Sequence, residues 1–358
     1  MSTLLINGAT GYTGQLIARQ AVGEGMRPVV AGRDAHKVAE LATSLGLEGR
    51  AFSLDQKETI KENLVGVNCL LNVAGPFSRT ARPLLDACLE TGAHYLDVTG
   101  EIDIFELAAS LDGRAREAGI MLLPGVGFDV VPSDCLAALV AGQLEQPVSL
   151  ELGILSVGGV VSRGTAKTGA ESAGTPTRVR RLGRITSLPP GSLRRTFDFG
   201  RGPRPVVALS WGDVATAYYS TGVPNITVYF PAGAMGPLLR ASRWLGPLLR
   251  TGPVQALLNR AIELRVAGPS EEQLENGLAI VVAEAVDAGG QRAFGRLQTP
   301  SGYKLTYLAA VDIARRVLDG EWQAGFQTPS LAYGAEYVLG LPGCRLLAAA
   351  PPNLLTDR

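Results

Sequence analysis

The first third of the chain alternates short continuous apolar runs with longer stretches in which apolar residues recur every three to four positions. The runs are Thr3–Asn7 (TLLIN), Pro28–Ala31, Ala51–Leu54, Asn68–Val73 (NCLLNV), His94–Val98 (HYLDV) and Ile120–Leu123. Apolar runs without alternation mark strands buried on both faces, as in a parallel sheet. Helical periodicity fills the gaps at 15–25, 35–45, 56–64, 81–91 and 104–118. Pro83 would lie in the first turn of the fourth helix, where its missing N–H costs nothing. Ser133 is the expected N-cap of a helix over Cys135–Leu144. Strand and helix in strict alternation predict a doubly wound parallel sheet over 1–131.

Past residue 148 the pattern changes. Leu150–Val161, Val206–Trp211 and Asn225–Phe230 read as strands, and Gly164–Lys167 as the opening of a helix. Ala279–Asp287 and Arg292–Thr299 alternate about Gly289-Gly290, the mark of a hairpin. Ser270, with Gln273 three residues on, forms a capping box, and Tyr303–Leu318 is helical. The expectation is an α+β substrate and dimerisation domain over 132–325, built on a largely antiparallel sheet. Residues 326–358 are expected to return and complete the first domain.

The first run leads into Gly8-Ala9-Thr10-Gly11-Tyr12-Thr13-Gly14 and then directly into a helix. Strand, glycine turn and helix are the opening unit of a Rossmann dinucleotide-binding fold. Gly8 allows the tight turn, Gly11 leaves bare backbone for a pyrophosphate, and Gly14 lets the helix pack close to the sheet. The N–H groups and positive dipole end of that helix attract phosphate. About twenty residues on, the second run ends in Gly32-Arg33, where an NAD enzyme carries an acid for the ribose 2′-hydroxyl. Arginine there suits a 2′-phosphate, with Lys37 four residues further on, so the expected cofactor is NADP(H). The alternative for Arg33 is the solvated start of a helix. Asp55, after the third run, and Ala74-Gly75-Pro76-Phe77, after the fourth, complete the expected cofactor contacts. Ligands of such sheets sit beyond the carboxyl ends of the strands.

Composition narrows the partners. The 358 residues suffice for two domains, and 46% hydrophobic against 18% charged residues allow a large core. A formal net charge of zero argues against nucleic acid. Cys69, Cys88, Cys135 and Cys344 are widely spaced, and the only histidines are His36 and His94, so neither a disulfide framework nor a metal centre is expected. With a first strand at residue 3 and no apolar run of about 18 residues, the expectation is a cytoplasmic protein without a signal peptide or spanning helix. Ala234–Leu258 is leucine-rich, broken by Arg240, Arg243 and Arg250 and by three prolines. It suits an acyl chain or a membrane surface, or else a helix packed on the second sheet. Arg178–Arg204 holds eight arginines and one acid, Asp198. It reads either as a mobile solvated loop or as a dock for an acidic partner such as an acyl-carrier protein or anionic lipid.

GATGYTG, AGR, AGPF, HYLDVTGE and GFDVVPSD, in this order, resemble the saccharopine dehydrogenase-like reductases, and most closely the branch that includes trans-acting enoyl reductases. The resemblance covers 1–134 and resumes at GYKLTYLAAVDIARRVLDG and GFQTPSLAYG. It implies a reductase that passes a hydride from NADP(H) to a C=C bond of an enoyl, acyl-type substrate, or to a C=N bond. The glycine turn departs from the plainer fingerprint of the lysine-pathway members. Neither a Tyr-x-x-x-Lys pair nor a nucleophile elbow is present, so the proton donor must come from elsewhere. Asp97, Glu101 and Asp129 lie at or beyond the ends of the fifth and sixth runs and are the candidate catalytic carboxyls. Their structural alternatives are a loop cap, a helix start and a brace at the domain junction. His94 reads as structural, and Lys167 as an anion contact or a solvated lysine. Two other functions stay open: a non-catalytic NADP(H)-binding sensor or scaffold, and an amino-acid dehydrogenase of the saccharopine type. A homodimer is a further expectation.

Overall fold

A computed structural model describes residues 3–158, 175–232, 251–252, 254, 260 and 271–348. Lys167, the Gly164–Lys167 helix start, Ser270 of the capping box and nearly all of Ala234–Leu258 lie outside the described residues. The chain divides into two units, 1–131 with 303–334, and 132–302 with 335–358. The return to the first unit thus starts at Tyr303 rather than at 326, and it ends at Gly334.

The first unit is a seven-stranded, all-parallel sheet. Its strands are β1 (Leu4–Asn7), β2 (Val29–Gly32), β3 (Gly49–Ala51), β4 (Cys69–Asn72), β5 (His94–Asp97), β6 (Met121–Leu123) and β15 (Gly325–Phe326), in the order β15-β6-β5-β4-β1-β2-β3. The helices between them are α1 (Tyr12–Gly23), α2 (Ala35–Leu45), α3 (Lys57–Leu64), α4 (Phe77–Thr91), α5 (Ile102–Ser110) and α6 (Asp112–Ala118). Every residue of β1, β2, β4, β5 and β6 is buried, which is why these runs carry no alternation. One core layer gathers Leu5, Leu70, Tyr95 and Leu122 from the sheet with Ile60, Leu84, Leu85 and Ala115 from the helices.

Four local expectations are corrected. The third strand is 49–51, not 51–54: Gly49–Ala51 pair with Val30–Gly32, and Phe52 N–H closes the ladder on Gly32 O. The fourth helix starts at Phe77, so Pro83 lies inside it rather than in its first turn. A carboxylate distant in sequence, Glu101, satisfies the first N–H groups, a signal that local sequence cannot carry. The helix over 104–118 is two helices that meet at Leu111. α7 (Val131–Ala141) starts before Ser133, which is buried within it and is not its cap.

The second unit holds nine described strands. The path β10-β11-β12-β7-β13-β14-β16 carries a hairpin, β8 and β9, paired to β12. They are β7 (Pro147–Val157), β8 (Thr177–Arg181), β9 (Arg184–Leu188), β10 (Arg194–Asp198), β11 (Pro203–Ala208), β12 (Ile226–Pro231), β13 (Leu278–Asp287), β14 (Arg292–Pro300) and β16 (Arg345–Leu346). Only the β12–β7 pair is parallel. β7 ends at Val157, short of the expected 161. On one sheet face Gly153 leaves room for Phe197 and Val282, and Gly295 admits Leu136 and Val140 of α7 on the other. The helices α8 (Asp213–Thr221) and α9 (Glu271–Asn276) follow the same chain order.

Arg178–Arg204 runs through β8, β9 and β10 into β11 and is not a mobile loop. Arg180 is buried, its guanidinium 4.1 Å over the Tyr218 ring, with bonds to Val214 O and Gly183 O. Arg181 donates to Thr227, and Arg195 pairs with both Glu151 and Glu284. These three arginines build the unit, which leaves Arg184, Arg194, Arg201 and Arg204 as its exposed cations in this stretch.

His94 is structural, as read. Its Nδ1 accepts Met121 N–H at 3.0 Å across the β5–β6 gap, and its ring lies 4.3 Å from that of Trp322. Burial lowers its pKa below the usual 6.5. The folded state therefore favours neutral imidazole, and the stability this supplies is present above the unfolded pKa and fades as pH falls through the folded one. Wild type should thus lose its stability advantage over His94→Gln as pH drops from 7 to 5, the difference at pH 7 being about 1 kcal/mol. Denaturant melts of both proteins across that range check it. A difference independent of pH would refute the assignment.

Candidate active site at the carboxyl edge of the first sheet

The glycine turn joins β1 to α1, and its three glycines divide the work. Gly8 has φ +82°, and a Cβ there would lie 2.7 Å from Ala74 N, so this glycine lets the turn after β1 touch the loop after β4. A Cβ on Gly14 would lie 2.3 Å from Gly8 O and 2.7 Å from Ala9 Cα, so α1 packs as close as backbone allows. Gly11 is different: it is exposed, and a Cβ there would meet only Gly8 O at 3.3 Å. The space beside Gly11 is open, and no side chain caps the first turn of α1. That is the arrangement a pyrophosphate needs.

Arg33 follows the last residue of β2 and is exposed. Thr10 reaches the same strand end, its Oγ1 3.5 Å from the position of a Gly32 Cβ. Lys37 is held by Asp34, whose carboxylate takes Lys37 N–H at 3.2 Å and lies 3.6 Å from its Nζ. Asp34 thereby caps α2, and the Lys37 N–H bond holds its pKa below the usual range. Asp55 is exposed, lies four residues past β3, and accepts Ser53 Oγ at 2.6 Å. Tyr12 is 39% exposed at the start of α1, with the ring of Tyr303 edge-on at 5.3 Å. Thr13 is half-buried beside it.

The loop Ala74–Phe77 is held through Asn7 and Asn72, which the sequence reading passed over. Asn7, Asn72 and Asp97 are the last residues of β1, β4 and β5, and strand register sets them side by side. All three are buried. Asn7 Nδ2 donates to Asn72 Oδ1 (3.0 Å), which also accepts Ala74 N–H (3.1 Å). Asn72 Nδ2 donates to Thr80 Oγ1 (3.1 Å), and Thr80 returns a bond to Ala74 O (2.6 Å). Ala74 is thus gripped on both sides. The signal was present in TLLIN, NCLLN and HYLD: a polar residue closing each of three apolar runs.

The three candidate carboxyls fare differently. Asp97 is wholly buried; its Oδ1 accepts Thr99 and Gly125 N–H, each at 2.9 Å, and its Oδ2 accepts Tyr95 OH at 2.8 Å. Burial raises its pKa to about 6, against the pull of those donors. Glu101 accepts Phe77 N–H and Ser78 N–H, each at 2.9 Å, and so caps α4. The two therefore do structural work: Asp97 ties the loops after β5 and β6, and Glu101 secures the helix that follows β4. Asp129 is half-buried against Gly100, where a Cβ would lie 3.0 Å from its Oδ2. Burial pushes it too up to about 6. Among the described residues no group of His, Cys, Asp and Glu could hold a metal ion, and no helix is long and apolar enough to cross a membrane.

Residues 4–123 match the saccharopine dehydrogenase NADP binding domain. The saccharopine dehydrogenase-like oxidoreductases of rat and human are each 23% identical over 277 residues, 70% of this chain and 62% of theirs. The trans-acting enoyl reductase of Mycobacterium leprae is 31% identical over 139 residues, 37% of this chain and 33% of its own. The matched stretches thus span less than two thirds of these relatives. Among solved structures, saccharopine dehydrogenase (L-Glu forming) from Saccharomyces cerevisiae superposes with a TM-score of 0.63 at 11% identity, covering 97% of this chain and 100% of that one, a likeness of fold. The chain is thus similar to the saccharopine dehydrogenase-like proteins, and residues 4–123 of its first unit match their NADP binding domain.

Proposed function

We propose that this protein is an NADP(H)-dependent oxidoreductase that reduces the C=C bond of an enoyl, acyl-type substrate, or a C=N bond, by hydride transfer. The observation that carries the reading is the turn at Gly8, Gly11 and Gly14, closed where packing demands it and open at Gly11 where a pyrophosphate would lie. Arg33, at the end of β2, would take the 2′-phosphate. The enoyl bond is favoured because the mycobacterial relative is a trans-acting enoyl reductase. NADP(H), when bound, supplies the hydride; the protein supplies binding, orientation and a proton. The test is loss of NADPH absorbance with enoyl thioesters and with imines. Binding without turnover on either class would leave the sensor reading, which gains from the structural employment of Asp97 and Glu101.

Asp129 is our choice of proton donor. A carboxyl with a pKa of about 6 can hold a proton near neutrality and yield it. Asp129→Asn should lower kcat on the order of 10²-fold or more while NADPH affinity changes little. Turnover at the wild-type rate in this variant would move the proton donor elsewhere.

A further inference from the structure

The helix α10 (Gly302–Leu318) enters the first unit from far along the chain, and its first two turns touch the start of α1 and the loop after β6. Tyr303 packs edge-on against Tyr12, ring centroids 5.3 Å apart and planes at 88°. One helical turn later, Thr306 Oγ1 accepts Phe128 N–H at 3.0 Å, and its methyl lies 3.0 Å from the position of a Gly127 Cβ. Tyr12 follows β1 and Gly127-Phe128 follow β6, so the two contacts flank the carboxyl ends of β4 and β5 in the sheet order. Thr306 is buried and pins the helix. Tyr303 is thereby held beside a tyrosine that stands at the phosphate turn itself. Burial raises the Tyr12 pKa, and the electrostatic effect of the Tyr303 phenol raises it further.

We propose that Tyr303 is a cofactor-positioning residue: its ring fixes the Tyr12 side chain beside the phosphate turn, so that the nucleotide meets a preformed aromatic rim. An exposed tyrosine at the start of a helix would otherwise sample several rotamers, and ordering it on binding would reduce affinity. The edge-to-face contact orders it beforehand. The inference rests on the NADP(H) reading of the glycine turn. It adds to that site a residue some 290 positions away from it, within the stretch GYKLTYLAAVDIARRVLDG whose role the sequence left unassigned.

The experiment is a titration of NADPH and of NADH against wild type, Tyr303→Ala, Tyr303→Phe, Tyr12→Ala and the double alanine variant. Tyr303→Ala should weaken both nucleotides alike by roughly three- to tenfold, the range of an aromatic pair. That symmetry separates it from Arg33, which should act on NADPH alone. Tyr303→Phe keeps the ring and should restore binding to within about twofold. The double variant should bind no worse than Tyr12→Ala, because Tyr303 acts through Tyr12. Wild-type affinity in Tyr303→Ala would overturn the proposal, as would equal losses in the alanine and phenylalanine variants, or additive losses in the double variant. Wild type that binds neither nucleotide would overturn the cofactor reading itself, and this inference with it.

Discussion

Gly11→Val is expected to abolish NADPH binding in a chain that still folds, whereas Gly14→Ala is expected to damage the turn itself. The two glycines are three residues apart in one motif, yet their surroundings differ. At Gly11 an added Cβ meets one backbone oxygen at 3.3 Å and otherwise open space. The larger valine fills that space, which is where a pyrophosphate must approach backbone N–H groups. A loss on the order of 100-fold or more in affinity, with a nearly unchanged melting temperature, is the expected result. At Gly14 the new Cβ would fall 2.3 Å from Gly8 O, and backbone on both sides cannot yield without moving α1 off the sheet. Strain of that kind costs about 1–3 kcal/mol or more, or roughly 2–4 °C of melting temperature per kcal/mol in a unit of this size. Thermal melts and nucleotide titrations on both variants check the pair. Normal NADPH binding by Gly11→Val would remove the phosphate from this turn.

Arg33→Asp should invert the preference between the two cofactors. A guanidinium bonded to a 2′-phosphate contributes roughly 1.5–3 kcal/mol, so NADPH should weaken about ten- to a hundredfold, and further through the repulsion of the new carboxylate. NADH lacks the phosphate and should lose little. Lys37 is a poor substitute because Asp34 already pairs with it and draws its backbone N–H as well. Competitive titration of the two nucleotides against wild type and variant decides the matter. Equal losses would mean that Arg33 does not read the phosphate.

The parts of this protein that sequence revealed are those set by local chemistry. Continuous apolar runs mark a strand buried on both faces wherever they occur, so β1, β2, β4, β5 and β6 were legible, as was the β13–β14 hairpin. The glycine turn was legible because its backbone demands are local too. What escaped was set by partners distant in sequence. α4 begins four residues early because Glu101, 24 residues on, caps it. The arginines of β8 and β10 looked solvated because their partners, Tyr218, Glu151 and Glu284, lie on other strands and helices. Asn7 and Asn72 each seemed an incidental end to an apolar run. Only parallel register sets them beside each other and gives them Ala74 to hold. The same holds for Asp97: it closes the fifth strand, and the three hydrogen bonds to it appear only in the fold.

The split of the first unit between residues 1–131 and 303–334 has a consequence for its biosynthesis. When Val131 leaves the ribosome, β6 is an open edge, because its neighbour β15 and the bond from Phe326 N–H to Asp112 are still to be made. At roughly 5–20 residues per second, the intervening stretch takes on the order of 10–40 s to emerge. Throughout that interval the nascent nucleotide domain carries an unpaired, wholly apolar strand, the kind of edge that recruits other chains. Its closure by β15 waits on translation of residues that belong to the second unit. A chain released at Val131 would lack β15, and β6 would remain an unpaired apolar edge.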